Sequence, residues 1–301
     1  MAHAAEGFLL PQVNRDAAQS YHTLPPGAAL HGIVEALWLY ESYSPPHCFE
    51  RVLPSGTVEI VFNLAGGDMR CYDPETMRCV QVRSPIVTGV HRRHFVIDTE
   101  QQRSIMGVGF SPAGAWRWLG VPPDELADRH VELEALLGPA VRQWEEILRD
   151  AGGPRQRLER LNAILERNRL REAHPAVEWA VEQICGYPSD IRVDHLAEEC
   201  QLSARRFSHL FTRQVGIAPK GFIRIRRFQA ALAEIRKRGS FDWSALAVST
   251  GFADQSHLIR EFKAFTGLTP NAYAAMHRSW GKHVPRAEQD QICPLVVDPA
   301  G

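Results

Sequence analysis

Residues 251–270 read GFADQSHLIREFKAFTGLTP and have the sharpest structural pattern in the chain. Asp254 is a residue type favoured as a helix N-cap, and Gly267 stands where glycine is favoured, just past a helix end. Between them, apolar residues recur at helical spacing: Leu258, Phe262 and Phe265. The stretch therefore predicts a helix that begins after Asp254, buries one apolar face and ends before Gly267.

The same pattern occurs 50 or 51 residues earlier in the chain, so the region is an internal repeat. The pair Leu196-Ala197 returns as Leu246-Ala247, and the run Gly216-Ile217-Ala218-Pro219 returns as Gly267-Leu268-Thr269-Pro270. Each copy consists of a short helical pattern, a turn and a longer helical pattern. An amphipathic segment of about residues 220–238 separates the copies. Two helix-turn-helix units joined by one long helix are the predicted arrangement.

Charge is unevenly distributed between this region and the rest of the chain. Residues 190–282 contain 15 Lys and Arg against 8 Asp and Glu, a net charge of +7. The remaining residues contain 19 against 27, a net charge of −8, and the whole chain of 301 residues carries −1. A basic block on an acidic body is the electrostatic footprint of a module that binds a polyanion.

The outward faces of the two longer helices carry side chains suited to the major groove, where Arg can grip guanine and Gln can pair with adenine. We predict a DNA-binding set of ten residues: Arg205, Arg206, Ser208, His209, Arg213, Gln255, Ser256, His257, Arg260 and Lys263. Arg205 and Arg260 are predicted to contact bases, and Lys263 to contact a phosphate. A helical bundle with no role in nucleic-acid binding is the alternative, and it leaves these two polar stripes without a purpose.

The run from Gly251 to Lys263, followed by Gly267-Leu268-Thr269-Pro270, resembles the second helix-turn-helix of the AraC/XylS family of bacterial regulators. The resemblance covers about residues 190–277. It implies an all-helical domain whose two recognition helices enter adjacent major-groove segments on one face of DNA, about 34–36 Å apart. The outward face of the first unit, with Arg205-Arg206 and His209, departs from any strong family pattern. The base preference of that helix is therefore not inherited from the resemblance.

The chain before the repeat is predicted to be an α+β body. Residues 1–110 contain strand-like runs at 51–53, 58–62 and 95–97, and are assigned to a β-rich sensing or dimerisation region. From Ser111-Pro112, a helix start by residue type, residues 111–187 have helical periodicity. Residues 188–282 are assigned to the DNA-binding domain and residues 283–301 to a disordered tail.

Three short motifs of the body resemble a domain that precedes this DNA-binding module in many bacterial regulators. They are Arg51-Val52-Leu53-Pro54-Ser55-Gly56, Val108-Gly109-Phe110-Ser111-Pro112-Ala113-Gly114 and Leu119-Gly120-Val121-Pro122. The resemblance implies a sensing or dimerising role, often on a cupin-like β-barrel, and it supplies no ligand.

Two groups of residues are candidates for a metal site or a redox site. His91 and His94 are three apart in a strand-like context, which favours solvated or core histidines over metal ligands. Cys71 and Cys79 flank the Asp73-Pro74 turn and would face each other across a hairpin. Three interpretations of these two cysteines remain open: a redox pair, half of a metal site, and two ordinary reduced thiols. No catalytic residue, metal site or cofactor is predicted.

These observations predict a cytoplasmic transcription regulator that is not an enzyme. The predicted partners are double-stranded DNA, RNA polymerase, a small-molecule effector and a second copy of the chain. No run approaches 18 apolar residues, so no membrane association is predicted, and the six cysteines do not form a disulfide framework. The alternative is a DNA-repair enzyme of the alkyl-transfer type with a similar helical module. That design needs clustered cysteines, whereas Cys48, Cys71 and Cys79 are spread out.

Overall fold

The structure, a computed structural model, describes residues 20–45, 47–168, 170–237, 242–275 and 283–285. Eleven strands occur in these residues, in the chain order β1 Ser20–Leu24, β2 Val34–Glu41, β3 Phe49–Val52, β4 Glu59–Asn63, β5 Met69–Tyr72, β6 Cys79–Val82, β7 Ile86–Thr88, β8 Phe95–Asp98, β9 Ser104–Phe110, β10 His130–Glu132 and β11 His283–Pro285.

The strands form two antiparallel sheets that make up the N-terminal body. The first has six strands in the order β1-β2-β9-β4-β7-β10, and the second has five in the order β11-β3-β8-β5-β6. In the central pair of β2 and β9, Leu37 lies opposite Val108 and Leu39 opposite Met106, and the register shifts between Val34 and Ala36.

Alternation along the strands gives the six-stranded sheet two apolar faces. One face packs against the helices through Leu37, Ile60 and Val108. The other faces the five-stranded sheet through Trp38, Val61 and Ile105, which join a separate apolar cluster between the sheets. The predicted α+β class, with a β-rich N-terminal domain before an all-helical domain, is confirmed.

Eleven α-helices occur in the described residues. Their bounds are α1 Gly114–Leu119, α2 Leu133–Leu137, α3 Val141–Arg149, α4 Pro154–Glu166, α5 Pro175–Gly186, α6 Val193–Glu199, α7 Ala204–Val215, α8 Pro219–Lys237, α9 Trp243–Ser249, α10 Gln255–Thr266 and α11 Pro270–Ala275. None of these helices has the length and apolar character that crossing a bilayer requires.

The repeat appears as two helix-turn-helix units, α6 with α7 and α9 with α10, joined by α8. Both longer helices begin at the predicted caps, since Ser203 Oγ accepts from Arg206 N at 3.3 Å and Asp254 Oδ1 accepts from His257 N at 2.7 Å. Both end at a glycine in the left-handed region, Gly216 with φ 101° and Gly267 with φ 72°.

Some sequence-based expectations are wrong in detail. Ser111 does not cap a helix, because its hydroxyl donates to the carbonyl of Gly32 at 2.8 Å and α1 begins three residues later, at Gly114. The segment 111–187 is not wholly helical, because β10 pairs with β7. A strand of three residues is too short to carry a recognisable period.

The expected disordered tail is also wrong at its start. Residues 283–285 form β11, which pairs antiparallel with β3. An edge strand offers unpaired backbone groups to any extended segment that reaches it, which is the physical reason for this pairing. The rest of the expected tail, residues 286–301, lies outside the described residues, as do residues 1–19 of the β-rich region.

Candidate nucleic-acid interface

The N-terminal half of α7 presents polar and basic side chains to solvent. Arg205, Arg206 and His209 are exposed, and Ser208 is half-exposed, whereas Phe207 on the opposite face is fully buried. This separation follows from the helical spacing of the apolar residues. The face has no acidic residue, so nothing on α7 itself would repel a phosphate.

The corresponding face of α10 is also open to solvent. Gln255, Ser256, Arg260 and Lys263 are exposed, and Leu258 and Phe262 are buried behind them. Ser244 Oγ lies 3.2 Å from Gln255 Oε1 and donates to it, so the amide nitrogen of Gln255 keeps its two donor hydrogens for another partner.

Besides Gln255, two of the ten predicted DNA-binding residues, His257 and Arg213, have side-chain contacts within the protein. His257 is half-buried, its Nδ1 accepts from Ala253 N at 3.2 Å, and its ring lies edge-on to Phe252. That arrangement supports the turn before α10. Arg213, in the last turn of α7, forms ion pairs with the N-terminal body, at 3.3 Å from Glu125 and 3.6 Å from Asp124.

The long helix α8 holds the two units together with residues that the sequence analysis did not single out. Arg224 donates two hydrogen bonds to the Glu261 carboxylate, at 2.7 and 3.0 Å, and its guanidinium lies 5.5 Å from the centre of the Phe265 ring. The pair neutralises the one acidic residue of α10. In the sequence, Glu261 stands alone among basic and polar residues, and this isolation was the available signal that a cation from another segment pairs with it.

Arg227 of α8 fixes the chain where it enters the DNA-binding domain. Its Nε donates to the carbonyl of Pro188 at 2.6 Å and its Nη2 to that of Ser189 at 3.0 Å. Gly251 packs against the same segment, because a β-carbon on it would lie 2.5 Å from the Ser189 Cα. The partners are backbone atoms about 40 residues away, and residue type alone gives no sign of them.

The N-terminal body packs directly on α8. Gln229 Nε2 donates to the carbonyl of Pro54 at 2.5 Å, and a β-carbon on Gly56 would lie 3.1 Å from the Phe222 ring. One continuous apolar cluster includes Leu53 of the body and Phe222 of α8. The DNA-binding domain therefore rests on the body across a buried, partly polar contact.

A buried acid lies near this contact. Burial raises the pKa of Glu35, in β2, to about 7, although the nearby Arg226 of α8 opposes the rise. The guanidinium of Arg226 therefore favours the charged form of Glu35 from across the contact, whereas burial favours the neutral form.

A cavity of about 60 Å³ lies between the two sheets. Its walls include Trp38 and Glu59 from the six-stranded sheet and Phe95 from the five-stranded sheet. Two loops complete it, residues 53–57 and residues 89–91, and both also reach the DNA-binding domain. The side chain of Gln102 also lines the cavity, and its Nε2 has no hydrogen-bond partner in the described residues.

The histidines singled out in the sequence point to different places. His91 stacks on His130 with ring centres 4.7 Å apart, and burial lowers the pKa of His91 to about 4 and that of His130 to about 3. Both rings are therefore neutral at physiological pH. His94 instead contacts Phe265 of α10. In the described part of the chain, no three His, Cys, Asp or Glu side chains are grouped to hold a metal ion.

Cys71 and Cys79 do not face each other. Cys71 lies opposite Val80 and Cys79 opposite Tyr72, so adjacent register positions turn the two thiols to opposite faces of the hairpin. Cys71 is buried between the sheets, and burial raises the pKa of its thiol to about 12, whereas Cys79 is exposed. The predicted cross-hairpin contact is wrong because the pairing is shifted by one residue.

Comparison with known proteins adds two family matches. Residues 196–276 match a family described as a helix-turn-helix domain. Residues 22–132, which hold most of both sheets, match a family described as a domain of unknown function, DUF6597.

Two curated relatives are arabinose operon regulatory proteins. The arabinose operon regulatory protein of Escherichia coli is 29% identical over 192 residues, covering 56% of this chain and 63% of that protein. Its counterpart in Salmonella typhimurium is 30% identical over 195 residues, covering 56% of this chain and 65% of that protein. The chain thus spans a little under two thirds of the length of these curated relatives.

Among solved structures, ToxT from Vibrio cholerae O395, bound to (E)-4-(8-methylnaphthalen-1-yl)but-3-enoic acid, is 12% identical to this chain. The match has a TM-score of 0.43 and covers 85% of this chain and 98% of ToxT. The repeated helix-turn-helix units, the family match over residues 196–276 and the arabinose-operon relatives agree with one another. They confirm the resemblance of the C-terminal domain to the AraC/XylS family.

Proposed function

We propose that the protein is a transcription regulator that recognises duplex DNA with α7 and α10 and responds to a signal at its N-terminal body. One observation is the main support for DNA binding. Two copies of one helix-turn-helix unit each expose the polar face of the second helix while burying its apolar face. A helix of this kind fits the major groove, where its side chains meet base edges.

Eight exposed or half-exposed side chains form the proposed reading surface: Arg205, Arg206, Ser208, His209, Gln255, Ser256, Arg260 and Lys263. Arg205 and Arg260 lie where a bidentate contact to guanine is available. Lys263 lies one turn further from the helix N-terminus and is assigned to a phosphate. Arg213 and His257 join the surface only if they leave their protein partners or contact DNA while keeping them.

Selection from random duplex DNA with the full chain tests this assignment. Arg205→Ala and Arg260→Ala should each cost about 1–3 kcal/mol on the selected site and relax the sequence at a different position within it. Lys263→Ala should weaken binding to all sequences by a similar factor. Selection that returns no enriched sequence would refute the proposed function, and an unchanged motif for both arginine variants would refute the assignment of bases to them.

The signal enters through the body, and the cavity between the sheets is the site we assign to a small-molecule effector. Its two loops are shared with the contact to the DNA-binding domain. A ligand shifts the DNA-bound population only by binding one state more tightly, and such coupling is typically about 1–3 kcal/mol. A thermal-shift screen of metabolites on the full chain, followed by DNA binding with each hit, tests this role. Hits that leave DNA affinity unchanged would refute it.

RNA polymerase and a second copy of the chain are the protein partners suggested by the resemblance to the AraC/XylS family, and the bacterial cytoplasm is the corresponding compartment. Sedimentation of the full chain with and without its selected DNA tests the second copy. A dimer would be expected to select a repeated motif, whereas a monomer selects one motif.

The alkyl-transfer alternative has no support. An enzyme of that type needs grouped cysteines that bind zinc. Here Cys71 lies between the sheets, and Cys79 lies on the opposite face of the hairpin from Cys71. The named relatives are regulators of an operon.

A further inference from the structure

The ends of the two recognition helices meet a single loop of the N-terminal body. This loop, residues 90–94, is called the bridging loop below. Its first residue, Val90, contacts Gly216 after α7, and its last residue, His94, contacts Gly267 after α10. Gly216 and Gly267 occupy equivalent positions in the repeat. One short segment therefore touches the same corner of both helix-turn-helix units.

At the second unit, the contact is a hydrogen-bonded helix cap supplied from the body. The backbone N and the Nδ1 of His94 each lie 3.1 Å from the carbonyl oxygen of Phe265. That oxygen can only accept, so His94 Nδ1 is the donor. Phe265 lies in the last turn of α10, where carbonyl groups have no partner within the helix. His94 thus satisfies an end of α10 that would otherwise need water.

At the first unit, the contact is close packing supported by charge. A β-carbon on Gly216 would lie 3.1 Å from Val90 Cγ2 and 3.2 Å from the carbonyl oxygen of Pro123. Val90 is fully buried. The ion pairs of Arg213 with Glu125 and Asp124 lie beside this packing and connect the same end of α7 to the body.

Helix α8 also joins the two units, through Phe222 packed against Phe211 and through the partly exposed ion pair of Arg224 with Glu261. The bridging loop instead contacts the ends of α7 and α10. Each recognition helix is therefore held at two places, by α8 and by the bridging loop. Two contacts restrict the rotation of the helix about α8 more than the α8 contact alone would.

We propose that the bridging loop positions the two recognition helices relative to each other, with His94 as the positioning residue for α10. The loop thereby sets how many base pairs the protein accepts between its two half-sites. This inference rests on the proposed function, since it concerns the spacing of two sites on DNA. It adds a role for the N-terminal body in sequence recognition, although the body supplies none of the base-reading residues.

The bridging loop is also connected to the interior of the body. His91, its second residue, lines the cavity and stacks on His130, while Phe95, just after the loop, packs against the same two rings. A change in the occupancy of the cavity would move the loop that holds both helices. The spacing preference is then a property that the effector can alter.

The test uses the full chain and duplexes in which the two half-sites found by selection are moved apart or together by one and two base pairs. Affinity is measured for the wild type, His94→Ala, His94→Asn and Arg93→Ala. Asn can place a donor near the position of Nδ1. Arg93 is a matched control from the same loop, because its guanidinium pairs with Asp73 and Glu75 of the body, at 2.7 and 2.9 Å.

We expect His94→Ala to reduce the preference for the natural spacing by about fivefold, the factor that corresponds to one hydrogen bond of roughly 1 kcal/mol. His94→Asn should restore most of the preference, and Arg93→Ala should leave it unchanged. Melting temperatures establish that each variant is folded. Should His94→Ala not fold, Val90→Ala reports on the α7 contact with the same duplexes.

Several outcomes would overturn the inference. A uniform loss of affinity at every spacing in His94→Ala would mean that the residue serves stability alone. A selected sequence with a single half-site would remove the spacing that the loop is proposed to set, while leaving the proposed function intact. Selection that yields no sequence would instead count against the proposed function itself.

Discussion

The ion pairs of Arg213 place a predicted DNA-binding residue in competition between DNA and the N-terminal body. Its Nη1 lies 3.3 Å from Glu125 Oε1 and 3.6 Å from Asp124 Oδ1, with side-chain exposures of 40% for Arg213, 61% for Glu125 and 25% for Asp124. At 3.3 Å, two unit charges in bulk water attract by about 1.3 kcal/mol. Because these groups are largely solvated, measured values for such pairs are lower, about 0.2–1 kcal/mol each. Together the two pairs hold Arg213 by about 1 kcal/mol.

Neutralising both acids, as Asp124→Asn with Glu125→Gln, should therefore raise DNA affinity by about fivefold. Part of any rise would come from removing two negative charges near DNA, independent of Arg213. A double-mutant cycle separates the two effects, because the same acid substitutions are repeated in Arg213→Ala. Fluorescence anisotropy on the selected duplex at one fixed salt concentration gives the four affinities.

The expected result is a rise that disappears in the Arg213→Ala background. An equal rise in both backgrounds would refute the competition and leave a general charge effect. No rise in either background would mean that Arg213 docks the recognition helix on the body and does not move to DNA.

Three further predictions follow from single contacts. Gly216→Ala should lower the free energy of unfolding in urea by more than Gly120→Ala. Both glycines lie in the left-handed region, where a side chain costs about 1–2 kcal/mol of strain, but a β-carbon on Gly216 would also lie 3.2 Å from the carbonyl oxygen of Pro123, whereas one on Gly120 meets only the end of the flexible Arg171 side chain; equal losses would contradict the close contact. Glu35 has a folded-state pKa raised from 4.5 to about 7, so its stabilising contribution is present below pH 4.5 and is lost as pH rises through 7. Glu35→Gln should therefore raise the melting temperature relative to wild type more at pH 8 than at pH 5, and an equal effect at both would contradict the burial. Lys263→Ala should reduce the slope of log affinity against log salt by about 0.9, whereas Gln255→Ala should leave the slope unchanged.

The sequence was most informative where the signal is local. The caps Ser203 and Asp254 and the glycines Gly216 and Gly267 lie within one or two turns of the helix ends that they determine. Because they recur at a fixed offset, the two units could be predicted from the chain alone. The exposure of Arg205 and Arg260 followed from the same periodicity.

The contacts between distant segments could not be predicted in this way. His94 donates to Phe265 across 171 residues, and Gln229 donates to Pro54 across 175. Each pair uses a backbone carbonyl as acceptor, and every residue type has one. The error at Cys71 and Cys79 has a related origin, since a shift of one residue in the register of a hairpin moves a side chain to the other face of the sheet.

The size of the cavity limits how an effector could act. At about 60 Å³ it is smaller than the engineered cavity of about 150 Å³ that accepts benzene, so a metabolite of larger size can enter only by displacing its walls. The strands that form two of those walls are held by ladders of backbone hydrogen bonds, and the loops 53–57 and 89–91 lie outside these ladders. Displacement is therefore expected in the loops. These loops accept a hydrogen bond from Gln229 and pack on Gly216. A ligand that displaces them would therefore use part of its binding free energy to disturb the contact with the DNA-binding domain. A ligand small enough to fit without displacement should bind and stabilise the body yet leave DNA affinity unchanged. Comparing a homologous series of ligands of increasing size by thermal shift and by DNA binding would separate the two effects, and a coupling independent of ligand size would contradict this mechanism.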